Sequence, residues 1–109
     1  MSMKEYTKIT PEVYERVRGR DGGCCVICGR RDIQCAHYIP RSQGGMGIPQ
    51  NLVMLCVEHH TLYDNGGMRE ELGEVIRDYL KGWYSDWNES ELKYDKWRWT
   101  HEVGGETEA

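Results

Sequence analysis

An α+β fold is predicted for this chain: two short strands and a helix forming a small core, with further helices on both flanks. Three observations predict it. Two residue pairs of matching spacing, Cys25/Cys28 and Cys56/His59, stand about thirty residues apart. Two short apolar runs, Ile33–Ile39 and Leu52–Leu55, are separated by a stretch rich in glycine and proline. A longer run, Met68–Trp83, repeats apolar residues at three- and four-residue steps.

The length of 109 residues suits one domain. The apolar fraction is 39% and leans on aromatic residues and cysteine, so the core is thin and a metal staple would help it fold. No stretch is apolar enough to span a bilayer, and the N-terminus lacks a signal-peptide pattern. A cytoplasmic protein with no membrane attachment is therefore expected. Five cysteines, an odd number, without an export signal point to metal binding or free thiols rather than disulfides.

The net charge of −4 argues against a non-specific polyanion binder, but it is unevenly placed. Residues 1–60 hold eight Lys/Arg against six Asp/Glu; residues 61–109 hold six against twelve. Arg16, Arg18, Arg20, Arg30, Arg31 and Arg41 all fall in the first group, where a local basic face can hold a phosphate backbone.

Residues 1–9 are polar and expected to be loose. Thr10-Pro11-Glu12 predicts a helix start, with Thr10 as cap and Pro11 in the first turn. Val13, Tyr14 and Val17 form its buried stripe, and Arg16, Arg18 and Arg20 face solvent or phosphate. Gly19 and Asp21-Gly22-Gly23 end it. In Cys25-Val-Ile-Cys28-Gly29 a tight turn lets both sulfurs face one cation, while Cys24 is one residue out of step and is read as a spare thiol or core residue. A redox Cys-x-x-Cys is the rival, but no βαβ pattern accompanies it.

Ile33–Ile39 predicts a strand with Ile33, Cys35 and His37 on one face, ended by Pro40. The loop from Arg41 to Pro49 is expected to be a long unpacked turn. Leu52–Leu55 is the returning strand. Cys56 opens a helix to about Asp64, stopped by Asn65-Gly66-Gly67. In the helix Met68–Trp83, the residues Leu72, Val75, Ile76, Tyr79, Leu80 and Trp83 make the core stripe, and Arg69 lies on the polar face. Asn88 or Ser90 caps a short helix anchored by Leu92, Tyr94 and Trp97. Trp97 and Trp99 either pack on the preceding helix or serve as stacking platforms for bases. Residues 100–109 are an acidic tail expected to be disordered.

Cys25, Cys28, Cys56 and His59 together make a Cys3His set suited to a tetrahedral zinc ion with no open position, hence a structural one. His60 is the rival fourth ligand. The two-residue spacing favours His59 and leaves His60, about 100° further round the helix, to face elsewhere.

Within this frame His37, Asn51 and His60 resemble the His-Asn-His pattern of the HNH endonucleases. The run Cys56-x-x-His59-His60 is similar to that family's Cys-x-x-Cys-His, with His59 replacing the second cysteine. Ile39-Pro40-Arg41-Ser42 and Gly44-Gly45 also look like the family, and the N-terminal helix and aromatic tail look like those of phage-encoded members. The resemblance implies a ββα-metal (treble-clef-like) core at about residues 20–66, in a single domain 1–99 with C-terminal helices at about 68–97. It also implies a metal-dependent nuclease that hydrolyses DNA.

On that reading His37 is the general base, because an imidazole titrates near neutrality. Asn51 fixes the loop that carries His37, and Arg41 binds a phosphate oxygen. His60 ligates a catalytic divalent ion, Mg²⁺ or Mn²⁺. Asp64, four residues on and on the same helical face, is a second ligand or else a helix-end residue. Proteins of phage packaging, near the terminase, are the partners the resemblance suggests. One departure stands out: many members carry Asp or His directly before the first motif His, where this chain has Ala36. Either Asp64 and water complete the site, or the chain is a non-catalytic zinc-binding module for nucleic acid or a protein partner.

Overall fold

The computed structural model describes residues 3–94; Trp97, Trp99 and residues 100–109 lie outside the described residues. The elements run α1 (Met3–Thr7), α2 (Pro11–Arg20), β1 (Ile33–His37), β2 (Leu52–Cys56), α3 (Val57–Asp64) and α4 (Arg69–Trp83), with short 3₁₀ turns at Arg41–Gln43, Pro49–Asn51 and Glu89–Glu91. Strands β1 and β2 pair antiparallel, with Ile33 opposite Cys56 and His37 opposite Leu52. The chain thus builds a small α+β fold on a two-stranded sheet, as expected of a ββα-metal core.

All five residues of β2 are buried, because helices cover both sides of the hairpin. Leu52 and Met54 pack with Val17 of α2, flanked by Val13 and Tyr14. Val53 and Leu55 pack with Ala36, Tyr63 of α3, and Leu72, Ile76 and Leu80 of α4. Each such fully buried side chain contributes about 1.5–3 kcal/mol. The N-terminus of α2 is capped as the sequence predicts: the Val13 N–H donates to Thr10 Oγ1 at 3.2 Å, with Pro11 in the first turn.

Five expectations are corrected. First, Arg20 does not face solvent. Its side chain is 7% exposed, pairs with a fully buried Asp21 at 2.7 Å, and donates to the carbonyls of Pro49 and Leu52 and to the Tyr84 hydroxyl. Asp21 in turn accepts from the Met54 N–H and the Tyr79 hydroxyl, so one charge pair ties α2 to β2 and α4. Second, residues 3–9 are not loose: α1 forms and Thr7 is buried. Third, the loop between the strands is packed. Gly44, Gly45 and Gly47 are buried, the Met46 N–H donates to the Leu92 carbonyl, and Gly45 bridges to Lys93. Fourth, Val75 and Trp83 are about half exposed, so the core stripe of α4 narrows to Leu72, Ile76 and Leu80 with Tyr79 at its edge. Fifth, Arg69 is drawn in from the polar face by the carbonyls of Tyr63 and Tyr38.

Candidate metal centre and adjoining cleft

The first centre forms where the hairpin's open end meets α3. The Cys25–Gly29 turn closes through the Gly29 N–H on the Cys25 carbonyl at 2.8 Å, with Gly29 at φ 81°, a conformation side-chain-bearing residues resist. Cys56 ends β2 and caps α3, its Sγ accepting from the His59 N–H. The side-chain donors of Cys25, Cys28, Cys56 and His59 all lie within 4.8 Å of one another.

Their spacing fits a tetrahedral ion. Metal–sulfur bonds of about 2.3 Å put two sulfurs about 3.8 Å apart, and a sulfur and a nitrogen about 3.5 Å apart. Cys28 Sγ and Cys56 Sγ are 3.7 Å apart; His59 Nδ1 is 3.3 Å from Cys56 Sγ and 3.8 Å from Cys25 Sγ. Burial raises the Cys25 pKa, but backbone N–H groups of Cys56, Cys28 and Ile27 outweigh it and lower it to about 7, favouring the thiolate a metal needs. Cys24 stands apart from the set, its thiol directed at the Asp21 carbonyl.

The second centre is a cleft of about 690 Å³ at the other end of the hairpin. His37 from β1, Arg41 from the following turn, and His60 and Asp64 from α3 all line it. Arg69, from the first turn of α4, completes that wall, its guanidinium 4.4 Å over the Tyr63 ring. Asn51 does not line the cleft. It is fully buried, accepts from the Ile39 N–H at 2.9 Å, and donates to the carbonyls of Ile39 and Met46. Asn51 thereby clamps both ends of the loop that bears Arg41.

His37 Nε2 sits 2.8 Å from the Thr7 carbonyl oxygen. A carbonyl only accepts, so Nε2 carries the hydrogen and, in the neutral ring, Nδ1 keeps its lone pair. Burial lowers the His37 pKa below the ordinary value; the Thr7 carbonyl and Asp64 oppose this, while Arg41 and His60 add to it. His60 Nδ1 lies 2.6 Å from Gln34 Oε1, and its Nε2 lies 3.0 Å from Asp64 Oδ2. Two donors 3.0 Å apart fit adjacent corners of an octahedral ion with bonds of about 2.1 Å.

Ala36 points away from all this, buried in the core cluster of Val53 and Leu55. Cys35 also lines the cleft, but burial and the charge of Asp21 push its thiol up to about 11, so it stays protonated. Sequence reasoning missed Thr7, Gln34 and Arg69. Gln34 carried a weak signal, a polar residue in a strand otherwise apolar around it; Thr7 acts through its backbone and carried none.

No helix among the described residues is long and apolar enough to cross a membrane. No curated protein matches the chain. Residues 25–68 match the model of a family described as HNH endonuclease. That segment holds Cys25, Cys28, Cys56 and His59 and the cleft residues His37, Arg41, His60 and Asp64, and over it the chain is similar to the HNH endonuclease family.

Proposed function

We propose that the protein is a metal-dependent endonuclease that hydrolyses DNA phosphodiester bonds, with His37 as general base. The observation that carries this reading is the meeting of His37, His60, Asp64 and Arg41 in one cleft, although they come from three separate segments. Nδ1 of His37, its partner nitrogen pinned by Thr7, takes the proton from the attacking water. Arg41 binds a non-bridging phosphate oxygen. Asn51 acts at one remove, holding the backbone between Ile39 and Met46 in place.

His60 and Asp64 are the residues that would hold a Mg²⁺ or Mn²⁺ ion. Such an ion supplies Lewis-acid stabilisation of the charge that develops on the phosphate and leaving oxygen. Gln34 accepts the Nδ1–H of His60 and so leaves Nε2 free to ligate. The Cys25/Cys28/Cys56/His59 set is read as a zinc site that fastens α3 to the Cys25–Gly29 turn. On this reading two ions would be served by adjacent residues of one helix, His59 and His60, about 100° apart around its axis.

Supercoiled plasmid incubated with the protein and a series of divalent ions tests the reading. Nicking is expected with Mg²⁺ or Mn²⁺, abolished by chelator and reduced at least a hundredfold in His37→Ala. DNA binding without turnover under every ion would assign the chain to a binding module instead.

A further inference from the structure

The segment Tyr6–Lys8 lies outside residues 25–68, yet it reaches the cleft, and several independent contacts fasten it there. The Gly47 N–H donates to the Tyr6 carbonyl at 2.9 Å. Gly47 does not need glycine for its backbone angles, since its φ is outside the left-handed range. It needs glycine because a Cβ would overlap the Lys8 carbonyl oxygen and crowd Thr7. On the other flank the Tyr6 ring stacks on Tyr94, centroids 4.4 Å apart and planes 16° apart. Tyr94 is itself tied to the same loop, its N–H donating to the Gly44 carbonyl. Thr7, held between these fastenings, is 2% exposed; its hydroxyl donates to the Lys4 carbonyl and accepts from Arg41 Nε, and its carbonyl meets His37 Nε2.

We propose that Gly47 and Tyr94 are positioning residues for cleavage: they seat the Tyr6–Lys8 strap so that the Thr7 carbonyl fixes His37 in the Nε2–H tautomer. The inference rests on His37 being the base. Neither residue touches the substrate side of the cleft. Gly47 acts by yielding space to Lys8, and Tyr94 by stacking on Tyr6. Without the strap the ring loses the acceptor that selects one of its two tautomers, and a base in the wrong tautomer has no lone pair where the water sits. The strap also touches Arg41, so its seating orders the base and a phosphate ligand together.

The test uses the full chain carrying Gly47→Ala, Tyr94→Ala or Tyr94→Phe. The His37 tautomer is read from ring nitrogen shifts by NMR, and nicking of supercoiled plasmid is measured in parallel. In Gly47→Ala and Tyr94→Ala the single Nε2–H form is expected to give way to a mixture. The kcat falls about 10- to 100-fold, with KM changed less than about threefold. Tyr94→Phe keeps the ring and is expected to keep both tautomer and rate. Unchanged tautomer and unchanged kcat in both disruptive variants would overturn the proposal and leave the strap as packing alone. Should Gly47→Ala not fold, the Tyr94 pair decides by itself. Should the unmodified chain cut no DNA, the nuclease reading fails, and the tautomer of the variants still decides whether the strap seats His37.

Discussion

Across one turn of α3, His60 Nε2 faces Asp64 Oδ2 at 3.0 Å, while the other ring nitrogen of His60 is held 2.6 Å from Gln34. The two contacts orient the imidazole from both ends, one from its own helix and one from β1. Asp64→Asn keeps the shape but loses the charge, and Gln34→Leu loses the orienting acceptor. Each is expected to weaken Mn²⁺ binding about 10- to 100-fold, read by electron paramagnetic resonance of the free ion. Affinity unchanged in Asp64→Asn would mean that the pair is only a helix-end ion pair.

Removal of the ion at the Cys3His set should unfold the chain. Structural zinc contributes roughly 10 kcal/mol or more in small domains, which exceeds what a core of this size holds in reserve. One zinc ion per chain is expected on release by a thiol-reactive agent. Chelation, or Cys56→Ser, should abolish the cooperative thermal transition and much of the far-ultraviolet helix signal. Cys24→Ser should leave both unchanged, since its thiol stands outside the set.

The pH dependence follows from the burial of His37, which lowers its folded-state pKa below the ordinary 6.5. The neutral ring is therefore retained at neutral pH, and the acid limb of the kcat/KM profile should have its midpoint below 6.5. The same shift acts on stability. Above 6.5 the residue is neutral in both the folded and unfolded chain, so its contribution is complete. As pH falls through 6.5 toward the folded pKa, the unfolded chain takes up the proton first and stability is lost. Urea titrations of the parent and His37→Gln between pH 7.5 and pH 5 check this; the variant should show the smaller decline.

Breaking the Arg20–Asp21 pair should be costly. Asp21 is fully buried and serves Arg20, the Met54 N–H and the Tyr79 hydroxyl at once. Burial, with Asp21 beside it, pushes the Tyr79 phenol up to about 12, so it remains a donor. Asp21→Ala removes the acceptor shared by Arg20, the buried Met54 N–H and the Tyr79 hydroxyl and is expected to destabilise the fold by about 3–5 kcal/mol in urea unfolding. Tyr79→Phe removes one partner and should cost about 1 kcal/mol.

The metal set and most of the cleft were legible because their information is local. A two-residue spacing in a turn, and the i to i+4 step from His60 to Asp64, fix geometry within one element. What the sequence hid depends on chain segments meeting from afar. Arg20 looks like any arginine on a helix face until the carbonyls of Pro49 and Leu52 arrive from about thirty residues away. The glycines between the strands read as punctuation, whereas Gly47 is a point of close approach to another backbone. Val75 fits the helical period, yet it stays half exposed, because the period does not show how far a neighbouring element reaches.

His59 and His60 are neighbours on an eight-residue helix, one turned to the cysteine sulfurs and the other to the cleft. A helix committed in two directions has no freedom to roll. Slip one residue in ahead of these histidines, or take one out, and the Cys3His set and the cleft each lose a histidine at once. Genetic drift in this short run must then proceed by exchange of letters, never by change of length.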